Sequence, residues 1–189
     1  MTAPRATVTA CLAGLLLLAG LTACAIDQAP EPPASPPSGR PSFYEDLAQA
    51  GAEVDAGAAA SMISGYRRNN GLSGVSANAI LMKAAAAQAR AMASRNNLEH
   101  NVIGDFTARI RGSGYDAKVA AENIGAGYRT LADAISGWRG SPSHRLNMLL
   151  KDATHFGIAS AYAPGSKYKV FWALILAAPD KPSKSDKRG

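Results

Sequence analysis

Cysteine is almost absent. The 189-residue chain has two, Cys11 and Cys24, and none from Ala25 onward. The folded part therefore has neither a disulfide nor a cysteine nucleophile, and its stability has to come from its core. Aromatic side chains are also scarce, with two tryptophans, six tyrosines and four phenylalanines, and alanine supplies much of the 47% apolar content. Small residues that are mostly good helix formers predict a helix-rich fold with closely packed elements. No apolar run is long enough to span a bilayer as a helix: "ACLAGLLLLAGL", Ala10 to Leu21, has twelve residues where about twenty are needed. The basic residues are scattered with no aromatics between them, which argues against a nucleic-acid partner. There is no G-x-S-x-G elbow. The length suits one domain with a real core and not two.

The N-terminus reads as an export signal, with Arg5 ahead of the apolar run and "LTAC" closing it. Leu21-Thr22-Ala23-Cys24 resembles the lipobox of bacterial lipoproteins. That resemblance implies a signal peptide over residues 1–23, cleavage before Cys24, lipid on its sulfur, and a membrane as partner through that lipid alone. The address is extracytoplasmic. Ala25, not aspartate, follows the cysteine, which resembles outer-membrane sorting if the organism has an outer membrane. Residues 24–56 are expected to form an acidic stalk. "APEPPASPPSGRP", Ala29 to Pro41, holds six of the eleven prolines and can form neither a helix nor a central strand. At about 3.1 Å per residue it would lift the domain about 40 Å. The domain is placed at residues 57–178, with fourteen basic and six acidic groups, and a basic tail at 179–189 reads as disordered. A basic domain on an acidic stalk suits anionic lipid or cell-wall polymer.

Within the domain, "AASMISGYRRNNGL" sets Met62, Ile63 and Tyr66 at helical spacing and stops at Asn70 and Gly71. The longest helix is expected from a Ser76 cap through "SANAILMKAAAAQARAMASRNN". Its Leu81, Ala84, Ala85, Gln88, Ala89 and Met92 make one mostly apolar face. A shorter helix follows over Phe106 to Arg111, ended by Gly112 and Gly114. "VAAENIGAG", Val119 to Gly127, is short and glycine-bounded, and reads as a strand. Thr130 and Asp133 form a capping-box arrangement beside a core stripe of Leu131, Ala134, Ile135 and Trp138. "HFGIASAYA" and "YKVFWALILAA" close the domain as a hairpin through "PGSK". This order predicts an α+β fold with an antiparallel sheet.

"GWRGSPSHRLNML", Gly137 to Leu149, carries the sharpest question. Ser141 followed by Pro142 is a good helix start, the serine capping and the proline taking the first helical position. His144 then falls in the first turn, where free N–H groups and the helix dipole disfavour an imidazolium. A neutral histidine there can accept a proton, ligate a metal or serve as a structural hydrogen-bonder.

"YRRNNGLSGVSANAILMKAAAAQARAMASRNNLEH", "AAENIGAG", "WRGSPSHRLNML", "HFGIASAYA" and an aromatic final strand together resemble, in order and spacing, a bacterial CAP (SCP-like) domain over roughly Ala58 to Ala177. The resemblance implies an α-β-α sandwich, its antiparallel sheet lying between helical layers. In that family a cleft is lined by two histidines and up to two glutamates, which some members use to hold a divalent metal. By motif position these are His100 in "LEH", Glu122 in "AEN" and His144 in "SPSHR", while the second glutamate falls at Ser141. Two imidazoles and one carboxylate are the donors of an open zinc site. A metal-assisted hydrolase also needs a separate general base, and a hydroxyl stands where it would be. Asn123 is expected to hold its loop by hydrogen bonds to backbone, and Arg145 to clamp a carboxylate or carbonyl. His155 lies outside the motif and reads as structural or exposed.

Three main functional readings follow, with a serine hydrolase as a further one. The first is a lipid-anchored extracytoplasmic binding or interaction module with a cleft lined by His100, Glu122, His144, Ser141 and Asn123, and no catalytic residue. The second is a hydrolase of a peptide or cell-wall bond using zinc on His100, Glu122 and His144. A serine hydrolase built on Ser141 or Ser143 is disfavoured because Ser141 is expected to spend its oxygen on the helix cap. The third takes the polar residues as a structural network that fixes the long loops.

Overall fold

The computed structural model describes residues 39–181. The signal segment, Cys24, the proline-rich stretch to Ser38 and the tail from residue 182 lie outside the described residues. Among the described residues no helix is long and apolar enough to cross a membrane.

The fold is organised by its last strand. Lys169–Pro179 (β4) is buried from Val170 to Ala178, and a strand sends alternate side chains to opposite faces. Val170, Trp172, Leu174 and Leu176 join one apolar cluster, whereas Phe171, Ala173, Ile175 and Ala177 join another. A strand that is apolar on both faces has to be covered on both, and the helices do this in two layers. Ala56–Arg68 (α1), Leu131–Gly140 (α4) and Pro142–Met148 (α5) bring Ile63, Leu131, Ile135, Trp138 and Met148 to the first cluster. Ala79–Arg95 (α2) and Phe106–Gly112 (α3) bring Leu81, Ala85, Ala89, Met92 and Ile110 to the second. The result is an α+β sandwich of helices, sheet and helices.

The sheet runs β1-β3-β4-β2, with β1 at Ser76–Ala77, β2 at Ala117–Ala126 and β3 at His155–Ala163. β2 and β3 both pair antiparallel to β4. The expected all-antiparallel sheet needs one correction, because the two-residue β1 pairs parallel to β3. Ser76 is part of that edge and does not cap α2. Asn78 does, accepting from Ile80 N at 3.0 Å and Leu81 N at 3.2 Å. Asp55, Asp105 and Thr130 cap α1, α3 and α4 in the same manner, as side chains that accept the first free N–H groups of a helix.

The stalk boundary at residue 56 also moves. Leu47 is buried in the first cluster with Phe43 and Val54 packed against it, Leu47 N donates to Arg129 O at 2.8 Å, and Asp46 pairs with Arg129. The domain therefore begins well before Gly57, since a few apolar residues in an acidic stretch are enough to dock it.

Arg67, near the end of α1, is fully buried. Its Nε donates to Ser73 O at 2.9 Å, Nη1 to Met148 O and Leu150 O at 3.0 and 2.9 Å, and Nη2 to Ala153 O at 3.1 Å. Four carbonyls replace the water that a guanidinium would otherwise need, and they tie α1 to the chain that leaves α5. Desolvation pushes the Arg67 pKa down. On the other face α2 lies so close to β3 that a Cβ at Gly157 would run into the Leu81 backbone. Gly157→Ala is expected to lower stability by about 1–3 kcal/mol, as overpacking does, read as a shift of the urea midpoint at unchanged m-value.

Candidate functional site

The dipeptide Glu122-Asn123 lies on the edge strand β2, and its two side chains leave by opposite faces. Glu122 pairs with Ile175 in register and so faces the α2–α3 layer, while Asn123 pairs with Leu174 and faces the layer of α5. One strand position thereby serves a loop on one side and a helix on the other.

On the first side Glu122 meets His100 and Arg109. His100 Nδ1 lies 2.9 Å from Glu122 Oε1. Arg109, from α3, donates through Nη2 to Oε1 and Oε2, each at 2.9 Å. The Glu122 and Arg109 side chains are 1% and 9% exposed, against 49% for His100, so the ion pair is buried and the imidazole stands at its mouth. The His100 backbone is fixed as well: its carbonyl accepts from Arg109 Nη2 at 3.1 Å and from Gln88 Nε2 at 3.0 Å. Gln88 also holds Glu99 O at 2.8 Å.

On the second side Asn123 Nδ2 donates to His144 O at 2.9 Å. Asn147, one turn further along α5, donates to Asn123 Oδ1 at 2.9 Å and to Glu122 O at 3.1 Å. These bonds occupy part of the outer edge of β2, and Trp138 Nε1 takes Ile124 O there at 3.1 Å. An edge strand covered in this way does not offer its carbonyls to another chain. The His144 imidazole is held below its ordinary pKa by burial and, less, by the nearby His100. The two histidines come from opposite layers, His100 on the side of the Glu122 carboxylate and His144 on the side of the Asn123 amide.

Several expectations change here. Ser141 occupies the N-cap position of α5, but its hydroxyl makes no capping bond and lies 3.4 Å from Ser143 Oγ. Proline at the first helical position leaves one N–H fewer to cap. Arg145 is exposed, and the arginine that clamps a carboxylate is Arg109. His155 is buried, with Nδ1 2.7 Å from the Tyr115 hydroxyl. Arg109, Gln88 and Asn147 were not singled out as site residues from the sequence. Gln88 gave a signal, a polar residue on an apolar helix face. Nothing local separates Arg109 from Arg111.

The cysteine-rich secretory protein (CAP) family model matches residues 60–176, most of the described domain. The chain belongs to this family. The CAP domain is similar to the uncharacterized protein YkwD of Bacillus subtilis (strain 168), 30% identical over 94 residues, which are 49% of this chain and 37% of that relative. The alignment thus spans well under half of the relative's length. Among solved structures, an outer surface protein from Borrelia burgdorferi matches with a TM-score of 0.60 at 18% identity, over 69% of this chain and 99% of that one. An extracellular SCP-domain protein from Bacillus anthracis matches at 0.53 and 21%, over 61% and 37%. These two likenesses concern the fold.

The metal donor set expected from the sequence resemblance is His100, Glu122 and His144. A ligand carboxylate needs an oxygen free to bind, and Glu122 has Arg109 on both oxygens and His100 on one. Among the described residues no group of three or more His, Cys, Asp or Glu side chains is placed to hold a metal ion. As arranged, His100, Glu122 and His144 do not fit a three-donor zinc centre.

Arg109→Ala would leave Glu122 buried without its cation, and is expected to cost about 3–5 kcal/mol in urea unfolding, with Arg109→Ala/Glu122→Gln recovering part of it. His144 adds an acid limb. Its folded pKa lies below the ordinary 6.5, so as pH falls through that value the unfolded chain takes up the proton first and stability is lost. The melting temperature should therefore fall more between about pH 7 and about pH 5 in the parent than in His144→Gln.

Proposed function

We propose that this CAP-domain chain is a binding module of the cell envelope, exported and lipid-anchored through Cys24, whose cleft holds its ligand by hydrogen bonds without cleaving it. The observation that carries this reading is the state of the one cleft carboxylate: Glu122 is buried and consumed by Arg109 and His100. A hydrolase of a peptide or cell-wall bond would need a free base or an activated nucleophile. Ser141, at the second-glutamate position, supplies neither a carboxylate nor a bond to an imidazole. What the cleft offers is polar: two imidazoles, and the Ser141 and Ser143 hydroxyls. The signal pattern at residues 1–24, the basic domain and the surface or extracellular origin of the similar solved structures support an extracytoplasmic address.

The hydrolase reading makes the opposite prediction, and purified insoluble cell wall separates the two. The full chain is expected to sediment with the wall and release no soluble fragments, and His144→Ala to reduce the bound fraction several-fold while remaining folded. Fragments released by the parent and not by Glu122→Gln would establish hydrolysis. For the anchor, Cys24→Ser is expected to move the exported protein from the detergent phase to the aqueous phase, because the acyl chains are the whole membrane attachment.

A further inference from the structure

The Glu122 carboxylate has a direction as well as a charge. A carboxylate only accepts hydrogen bonds, and a guanidinium only donates them. With Arg109 on both oxygens, the 2.9 Å contact to His100 has to be made by an Nδ1–H. A neutral imidazole carries one proton, so Nε2 is left with the lone pair. The ring is half open to solvent, and its backbone is fixed by Gln88 and Arg109. A third fixed point, Asn123 with Asn147, sets the other histidine through the His144 carbonyl.

We propose that Arg109 is a positioning residue that makes Glu122 an anchor for His100 and withholds it from ligation, so that the cleft presents one oriented acceptor, His100 Nε2. This deepens the binding-module reading, on which it rests, by naming the ligand chemistry. The cleft takes a neutral ligand that donates an O–H or N–H to His100 Nε2, such as a glycan hydroxyl or a peptide amide, and not a divalent cation held by Glu122. Arg109 and Ser141 act together in this: the first occupies the remaining carboxylate and the second stands where another would be. A lysine at 109 would keep the charge and lose the planar fork that fixes both oxygens.

The test is histidine-selective nitrogen-15 NMR of the full chain at neutral pH, with zinc alone as the metal probe. The three histidine rings are assigned by single substitution. His100 is expected to show a protonated Nδ1 and a lone pair on Nε2. Glu122→Gln should give a mixture of both tautomers, and Arg109→Lys should retain more of the Nδ1–H form than Arg109→Gln. Equimolar zinc should leave the His100 signals of the parent in place and move them in Arg109→Gln/Ser141→Glu. A parent His100 with its proton on Nε2 would overturn the proposal. So would equimolar zinc shifting the parent's His100 and His144 signals but not those of Glu122→Gln. If Arg109→Gln does not fold, the parent spectrum with and without zinc still decides. The spectrum needs no envelope ligand, so failure here is distinct from failure to sediment with cell wall.

Discussion

Every layer of this domain leans on β4. Its alternate residues feed two separate apolar clusters, so neither helical layer has a complete core without it, and the strand between them joins one layer to the other. Burial of a strand on both faces demands cover on both, and the close contact at Gly157 shows how near α2 comes. Alanine makes that approach feasible: Ala85 and Ala89 of α2 lie with Ala173 and Ala177 in the same cluster. A chain with few aromatics thus brings helix and sheet close together by short side chains.

The site is a consequence of the same alternation. Because Glu122 and Asn123 are neighbours on a strand, they serve different layers, one on each side of the β2 edge. His100 arrives on the loop after α2, and His144 on the first turn of α5. Gln88 and Arg109 hold the His100 carbonyl and Asn123, itself held by Asn147, the His144 carbonyl, which positions a side chain without using its own ring atoms.

Two buried arginine side chains illustrate how a charge is accommodated. Arg67 has four carbonyl acceptors and fastens loops, whereas Arg109 has a carboxylate and holds both its oxygens. Removing water from either is costly unless its donors are satisfied. Among the described residues Gln88 Oε1 is buried without a hydrogen-bond partner, while the amide nitrogen beside it holds the His100 loop. The polar network therefore reinforces the architecture as well as forming the site.

Much of the fold was legible in the residues. Helical spacing marked α1, α2 and α4, glycine boundaries marked β2, and the final apolar run marked β4, because these depend on periods of 3.6 and 2 that lie within one segment. The motif residues His100, Glu122 and His144 were also named, by resemblance. Local chemistry misled at Ser76 and Ser141, where a serine ahead of a helix suggests a cap: the chain starts α2 from Asn78, and the Ser141 hydroxyl makes no capping bond. The acidic segment before α1 read as stalk because its few apolar residues have no period. What the sequence determined by itself is the set of elements and their apolar faces, since each is written in short-range patterning. Which arginine neutralises Glu122 was decided only in three dimensions. Arg109 and Arg111 share one helix, and only the packing of α3 against β2 brings one of them to the carboxylate.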